Sequence, residues 1–150
     1  MKTVILTILI VFLLTGCKEN NEEAKFNLDN KYYNKAELVS INGEELKELE
    51  NNNGNFIVFV YMPRCNASAL FYTVVREFSN IHGITIYRVQ FSRIEGSRMA
   101  DSIRFFPTAV IYNDGEVATY LDANKNEHID YYRTSEGFKN WLTKYIYITN

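Results

Sequence analysis

The stretch Phe56-Ile57-Val58-Phe59-Val60-Tyr61 is an unbroken run of β-branched and aromatic side chains, and it constrains the fold more than any other segment. Continuous apolar character, without polar alternation, marks a central strand buried on both faces. The run leads directly into Met62-Pro63-Arg64-Cys65-Asn66-Ala67-Ser68, after which Ala67, Leu70, Phe71, Val74, Val75 and Phe78 recur at helical spacing until His82-Gly83 supplies a stop. Ile84 to Phe91 then reads as a second strand. A strand, helix, strand succession favours a right-handed parallel crossover. Cys65 therefore falls at a helix N-terminus, on the loop leaving a central strand.

The flanking segments complete a mixed sheet. Ala36 to Ile41 reads as a short edge strand, and Asn42 as the cap of a helix running to about Glu50, with Leu46 and Leu49 inward. A shorter helix is expected over Gly96 to Arg104. Thr108–Tyr112 and Val117–Leu121 flank Asn113-Asp114-Gly115-Glu116, the residue types of a tight hairpin turn, so those two strands should be antiparallel. Phe138, Trp141, Leu142, Tyr145 and Ile146 form the apolar stripe of a last helix, which makes Trp141 a core residue. The expected architecture is α/β, with a mixed central sheet between helices.

The start of the chain has a different character. Lys2 precedes the apolar segment Val4 to Leu14, which is short for a bilayer span and reads as an export signal. Leu14-Thr15-Gly16-Cys17 resembles a bacterial lipoprotein signal box, and that resemblance implies cleavage before Cys17 and lipidation of its sulfur. An ordinary secretory signal or an uncleaved anchor is the alternative. The expected organisation is a signal peptide over 1–16, a flexible polar tether over 17–35 and one domain over 36–150. Without Lys2 the 16 basic residues become 15 against 18 acidic ones, a mildly acidic balance. Arg88, Arg93, Arg98 and Arg104 lie among acidic and apolar neighbours, as on a solvated face, so no nucleic-acid partner is expected.

Cys65 carries the chemistry. Free N–H groups and the positive end of the helix dipole stabilise a thiolate there, and Arg64 adds an adjacent cation. The competing view is a buried structural cysteine. His82, before a glycine at a helix end, is expected to complement the dipole, and His128 to sit in an exposed loop. Two histidines and one available cysteine give no metal-site spacing, and no cofactor is called for.

From Leu38 to Ile146 the chain resembles the thioredoxin superfamily. The likeness rests on the strand Phe56–Tyr61 entering Arg64-Cys65-Asn66-Ala67-Ser68, on Ile103-Arg104-Phe105-Phe106-Pro107-Thr108, and on the Asn113–Glu116 hairpin, in that order. It implies a thioredoxin-like three-layer sandwich, with Cys65 as the attacking thiol and a cis Pro107 beside it. Phe106 and Pro107 would then form a wall against which a client peptide pairs. A trans proline opening an edge strand is the alternative for Pro107.

Two positions depart from the family pattern. Ser68 stands where a second cysteine is usual, so no internal disulfide can form, and Phe59 replaces a buried acid that serves that second thiol. Ser68 is expected instead to donate a hydrogen bond to the Cys65 thiolate. The resemblance thus points to a membrane-anchored, extracytoplasmic protein performing monothiol disulfide exchange or isomerisation, its partners being thiol- or disulfide-containing exported proteins or peptides. From a different class comes a non-catalytic peptide-binding module, similar to accessory proteins of bacteriocin export.

Overall fold

The computed structural model describes residues 24–148. In chain order they form β1 (Leu38–Ser40), α1 (Gly43–Asn51), β2 (Phe56–Tyr61), α2 (Asn66–His82), β3 (Ile86–Gln90), β4 (Thr108–Asn113), β5 (Glu116–Tyr120) and α3 (Ser135–Leu142). Short 3₁₀ turns occur at Asn30–Tyr32, Phe91–Arg93 and Asn126–Tyr132. The sheet order is β1-β3-β2-β4-β5, with β1, β3 and β2 parallel and β4 and β5 antiparallel to their neighbours. The apolar run at 56–61 is thus the middle strand, and Phe56 to Val60 are all shut off from solvent. Each such side chain contributes about 1.5–3 kcal/mol relative to an exposed one.

Alternation along β2 sorts its side chains between two helical layers. Phe56 stacks on Tyr112, whose hydroxyl bonds Glu50 at the end of α1, so this parity faces α1. Phe59 meets Phe71 of α2 edge-on, and Phe71 in turn meets Phe138 of α3, so the other parity faces α2 and α3. The result is the expected mixed sheet between helices.

Local chemistry explains the element ends. Asn42 accepts from the N–H groups of Glu44 and Glu45 at 2.8 and 3.0 Å, while Glu45 Oε2 accepts from the Asn42 N–H at 2.7 Å, a complete capping box. Gly83, in the left-handed region, ends α2. In the hairpin, Asp114 and Gly115 both have positive φ, 51° and 75°, which gives a turn whose twist matches the strands it joins.

Four expectations need correction. The helix expected over Gly96–Arg104 does not form; the segment is a series of turns that buries Met99 and Ile103. Gly96 has φ 74°, Ser97 Oγ bonds the Ile94 carbonyl, and the Arg98 N–H is drawn to Glu50 Oε1 at 2.9 Å, so local groups compete with a helical ladder. In α2 the inward face holds Ser68, Phe71, Val75 and Phe78, whereas Ala67 is exposed and Leu70 is 73% exposed, roughly 100° around the helix from Phe71. α3 stops at Leu142, leaving Tyr145 in the turn that follows and Ile146 in a β-bridge.

The fourth concerns the domain boundary. Residues 24–35, assigned to a tether, pack onto the domain: Leu28 and Tyr32 are buried, and Phe26 bridges Ile146 through Phe26 N–H to Tyr145 O and Tyr147 N–H to Phe26 O. Phe26, Leu28 and Tyr32 are spaced too irregularly to register as an element, yet they pack against the core. Residues 1–23, including the expected signal and Cys17, lie outside the described residues. Among the described residues no helix is long and apolar enough to cross a membrane.

Candidate functional site

Cys65 is the N-cap residue of α2, with extended backbone at φ −99° and ψ 120°. It is half-buried and holds a free thiol. The loop from β2 turns through Arg64, whose φ is 62°, and the Cys65 N–H reaches the Met62 carbonyl at 3.4 Å. Three residues on, Ser68 is buried, and its Oγ accepts from the Met62 N–H at 3.1 Å. Ser68 thereby fastens the loop to the first turn of α2.

The thiol is held below its ordinary pKa. The largest cause is the Ser68 backbone N–H, followed by the Ser68 hydroxyl; partial desolvation opposes them, and the Ala67 N–H adds a smaller contribution. These are orphan donors of a helix start, which favour the thiolate from nearby although the Cys65 side chain forms no cap hydrogen bond with them. Arg64, expected to share in this, is exposed and is not among the causes.

Beside the thiol opens a pocket of about 300 Å³. Cys65, Ser68, Ala69 and Tyr72 form its α2 wall, as residues spaced three, four and seven apart share one helix face. Phe59 and Tyr61 of β2 supply an apolar side, and Arg88 of β3 lines it as well. Phe59 is buried and stacks on Tyr61 with centroids 5.7 Å apart. An apolar ring therefore stands where the resemblance would put an acid.

The Phe106–Pro107 peptide is cis. Antiparallel pairing sets Thr108 opposite Val60, so Pro107 comes at the end of β2 from which the cysteine loop departs. The pocket, however, opens toward β3, and neither Phe106 nor Pro107 lines it. Phe106 packs on Phe91 at 5.0 Å, and the neighbouring Phe105 is 50% exposed. Of the sequence-derived site residues, Arg64, Cys65 and Ser68 share one pocket, while Phe106 and Pro107 occupy the same end of the sheet outside it.

Expectations for four other polar residues change. Arg88 is no solvated arginine: its Nε donates to Ser40 Oγ at 2.6 Å, and its guanidinium sits 5.6 Å from the Tyr72 ring centroid. Arg98 is structural, bonding the carbonyls of Glu50 and Gly115 and pairing with Glu116. His82 packs on Phe78 at 4.9 Å and burial lowers its pKa, so at neutral pH it brings no full charge to the helix end. His128 is half-buried in a 3₁₀ turn, with Nδ1 accepting from the Asp122 N–H at 2.9 Å.

Sequence reasoning missed Arg88 and Tyr72 as site residues. The available signals were a single charge within the apolar strand Ile84–Phe91, and the seven-residue step from Cys65 to Tyr72.

The order of elements and the sheet topology are those of a thioredoxin-like fold, with the cysteine at the β2–α2 junction. A mutant thioredoxin from Halobacterium salinarum NRC-1 aligns with a TM-score of 0.57 and 16% identity, over 77% of this chain and 96% of its own. Oxidized mitochondrial thioredoxin 3 from Saccharomyces cerevisiae aligns with a TM-score of 0.52 and 10% identity, over 71% and 93%. At these identities the likeness is one of fold. No protein-family model and no curated protein matches the chain.

Proposed function

We propose that this chain is a membrane-anchored, extracytoplasmic thioredoxin-like protein that exchanges or isomerises disulfides of exported proteins through the single thiol of Cys65. The observation that carries this reading is a half-exposed thiol at the start of α2, beside an open pocket, with Ser68 and Ala67 groups favouring its ionised form. The Cys65 thiolate attacks one sulfur of a client disulfide. A new S–S bond forms to Cys65, the client bond breaks, and its electron pair leaves on the other sulfur, which takes a proton from water. With Ser68 in place of a resolving cysteine, release needs a second, external thiol or the client's own freed thiolate. Anchoring rests on Leu14 to Cys17 alone.

Mass spectrometry of the protein mixed with a disulfide-bonded peptide tests the reading. An adduct at Cys65, formed faster than with the unfolded chain, is the expected result, and no adduct removes the proposal. The exposed Phe105 beside Phe106 favours a second reading, a peptide-binding export accessory that exchanges no electrons. Full biological activity of Cys65→Ser would select it. For the anchor, Cys17→Ala should release the protein from membranes.

A further inference from the structure

We propose that Arg88 makes the Cys65 pocket selective for disulfides carrying a carboxylate on the half that Cys65 retains. This inference rests on the reading of Cys65 as the nucleophile. Arg88 faces the α2 side of the sheet because it is the register partner of Phe59, and it lines the same pocket as the thiol.

Its position is constrained from two directions. Nε donates to Ser40 Oγ, a neutral partner, and the guanidinium carbon sits 5.6 Å over the Tyr72 ring, so the side chain is held from two sides with N–H donors left over. Among the described residues no carboxylate lies within ion-pair distance of Arg88. The aromatic residues Phe59, Tyr61 and Tyr72 line the same open pocket as that charge.

The spacing suggests the ligand's dimensions. Tyr72, which carries Arg88 on its face, follows Cys65 by seven helical residues, an axial distance of about 10 Å. That span equals about three extended residues. A half-cystine followed at two residues by an acidic side chain matches it, and a small disulfide acid can reach it with part of the arginine's own length. The shared chemistry is a carboxylate tethered to the reacting sulfur.

The exchange itself is balanced as above: one S–S bond forms, one breaks, and the departing thiolate is protonated by water. Arg88 holds the retained half and takes no part in electron transfer.

The test uses the full chain in non-ionic detergent, with Cys17→Ser so that Cys65 is the sole thiol. Capture rates are measured for the symmetrical disulfides of acetyl-Cys-Gly-Glu-amide and acetyl-Cys-Gly-Gln-amide, and for 4,4′-dithiodibutyrate against its dimethyl ester. The acidic member of a pair should react about fivefold faster, the scale of one partly exposed ion pair. That ratio should fall to about one in Arg88→Gln, persist in part in Arg88→Lys, and shrink as salt is raised. The preference appearing with the peptide pair identifies a peptide source, and with the dibutyrate pair a small-acid source; either supports the proposal. Equal rates within both pairs, or ratios that Arg88→Gln leaves intact, overturn it while leaving Cys65 a nucleophile. No adduct with any probe overturns the Cys65 reading and this one together. Should Arg88→Gln not fold by circular dichroism, the salt dependence of the ratio in the unsubstituted protein decides: a ratio insensitive to salt overturns the proposal.

Discussion

The Tyr112 hydroxyl donates to Glu50 Oε1 at 2.7 Å, which ties the end of α1 to β4 inside the protein. Glu50 is 3% exposed, and the same oxygen also accepts the Arg98 N–H. Arg98 then reaches back to the Glu50 and Gly115 carbonyls. One carboxylate thus secures the turn segment 96–104, the hairpin and α1. Burial first, then the Glu50 contact, push the Tyr112 phenol far above its ordinary range, so it remains a donor at any physiological pH.

Tyr112→Phe should therefore destabilise the fold by about 1–3 kcal/mol, the cost of leaving a buried acceptor underserved. Denaturant unfolding measures it. Arg98→Ala should cost a similar amount, and the double variant less than the sum, because both act on Glu50.

The pH dependence of Cys65 alkylation should show a midpoint below that of an unfolded cysteine peptide. Ser68→Ala should move it upward, since Ser68 supplies the hydroxyl contact. A thiol whose folded pKa is depressed binds fewer protons in the native state. Its contribution to stability is complete above the unfolded thiol's pKa and lost as pH falls through the folded one. Cys65→Ser should remove that component from a stability–pH profile.

Gly115→Ala should destabilise by at least about 2 kcal/mol, read as a shift in the denaturant midpoint. The residue sits at φ 75°, and an added Cβ would overlap the Glu50 carbonyl oxygen. The same substitution should loosen the Arg98 contacts at that turn.

Leu28→Ala should cost about 2–5 kcal/mol in the same assay, the range for a buried leucine. A result within experimental error of zero would restore the tether assignment for this part of the chain.

Strong local signals made most of the fold legible. The β2 run, the α2 stripe ending at Gly83, the Asn42 cap and the Asp114-Gly115 turn each have a physical cause within a few residues, and each appears at or near its expected bounds. The failures share a different cause. Met99 and Ile103 are four apart and suggest a helix, but a buried carboxylate 48 residues earlier takes the Arg98 N–H. Phe26, Leu28 and Tyr32 are sparse in a polar segment, and their partners lie far along the chain: Phe26 bridges Ile146 and Tyr32 meets Tyr87 edge-on. Within the site, Cys65 and Ser68 were legible because they share one helical turn. Arg88 was not, because its place beside the thiol follows from the parallel register of β3 on β2, which no local pattern encodes.

The Phe26–Ile146 bridge brings together two points separated by most of the sequence. A linker of a few residues would suffice to close the polypeptide into a ring there, and fresh termini could then be cut at an exposed turn such as Asn52-Asn53. Such a rearranged chain would carry its ends at that turn while leaving the β2–α2 junction uncut.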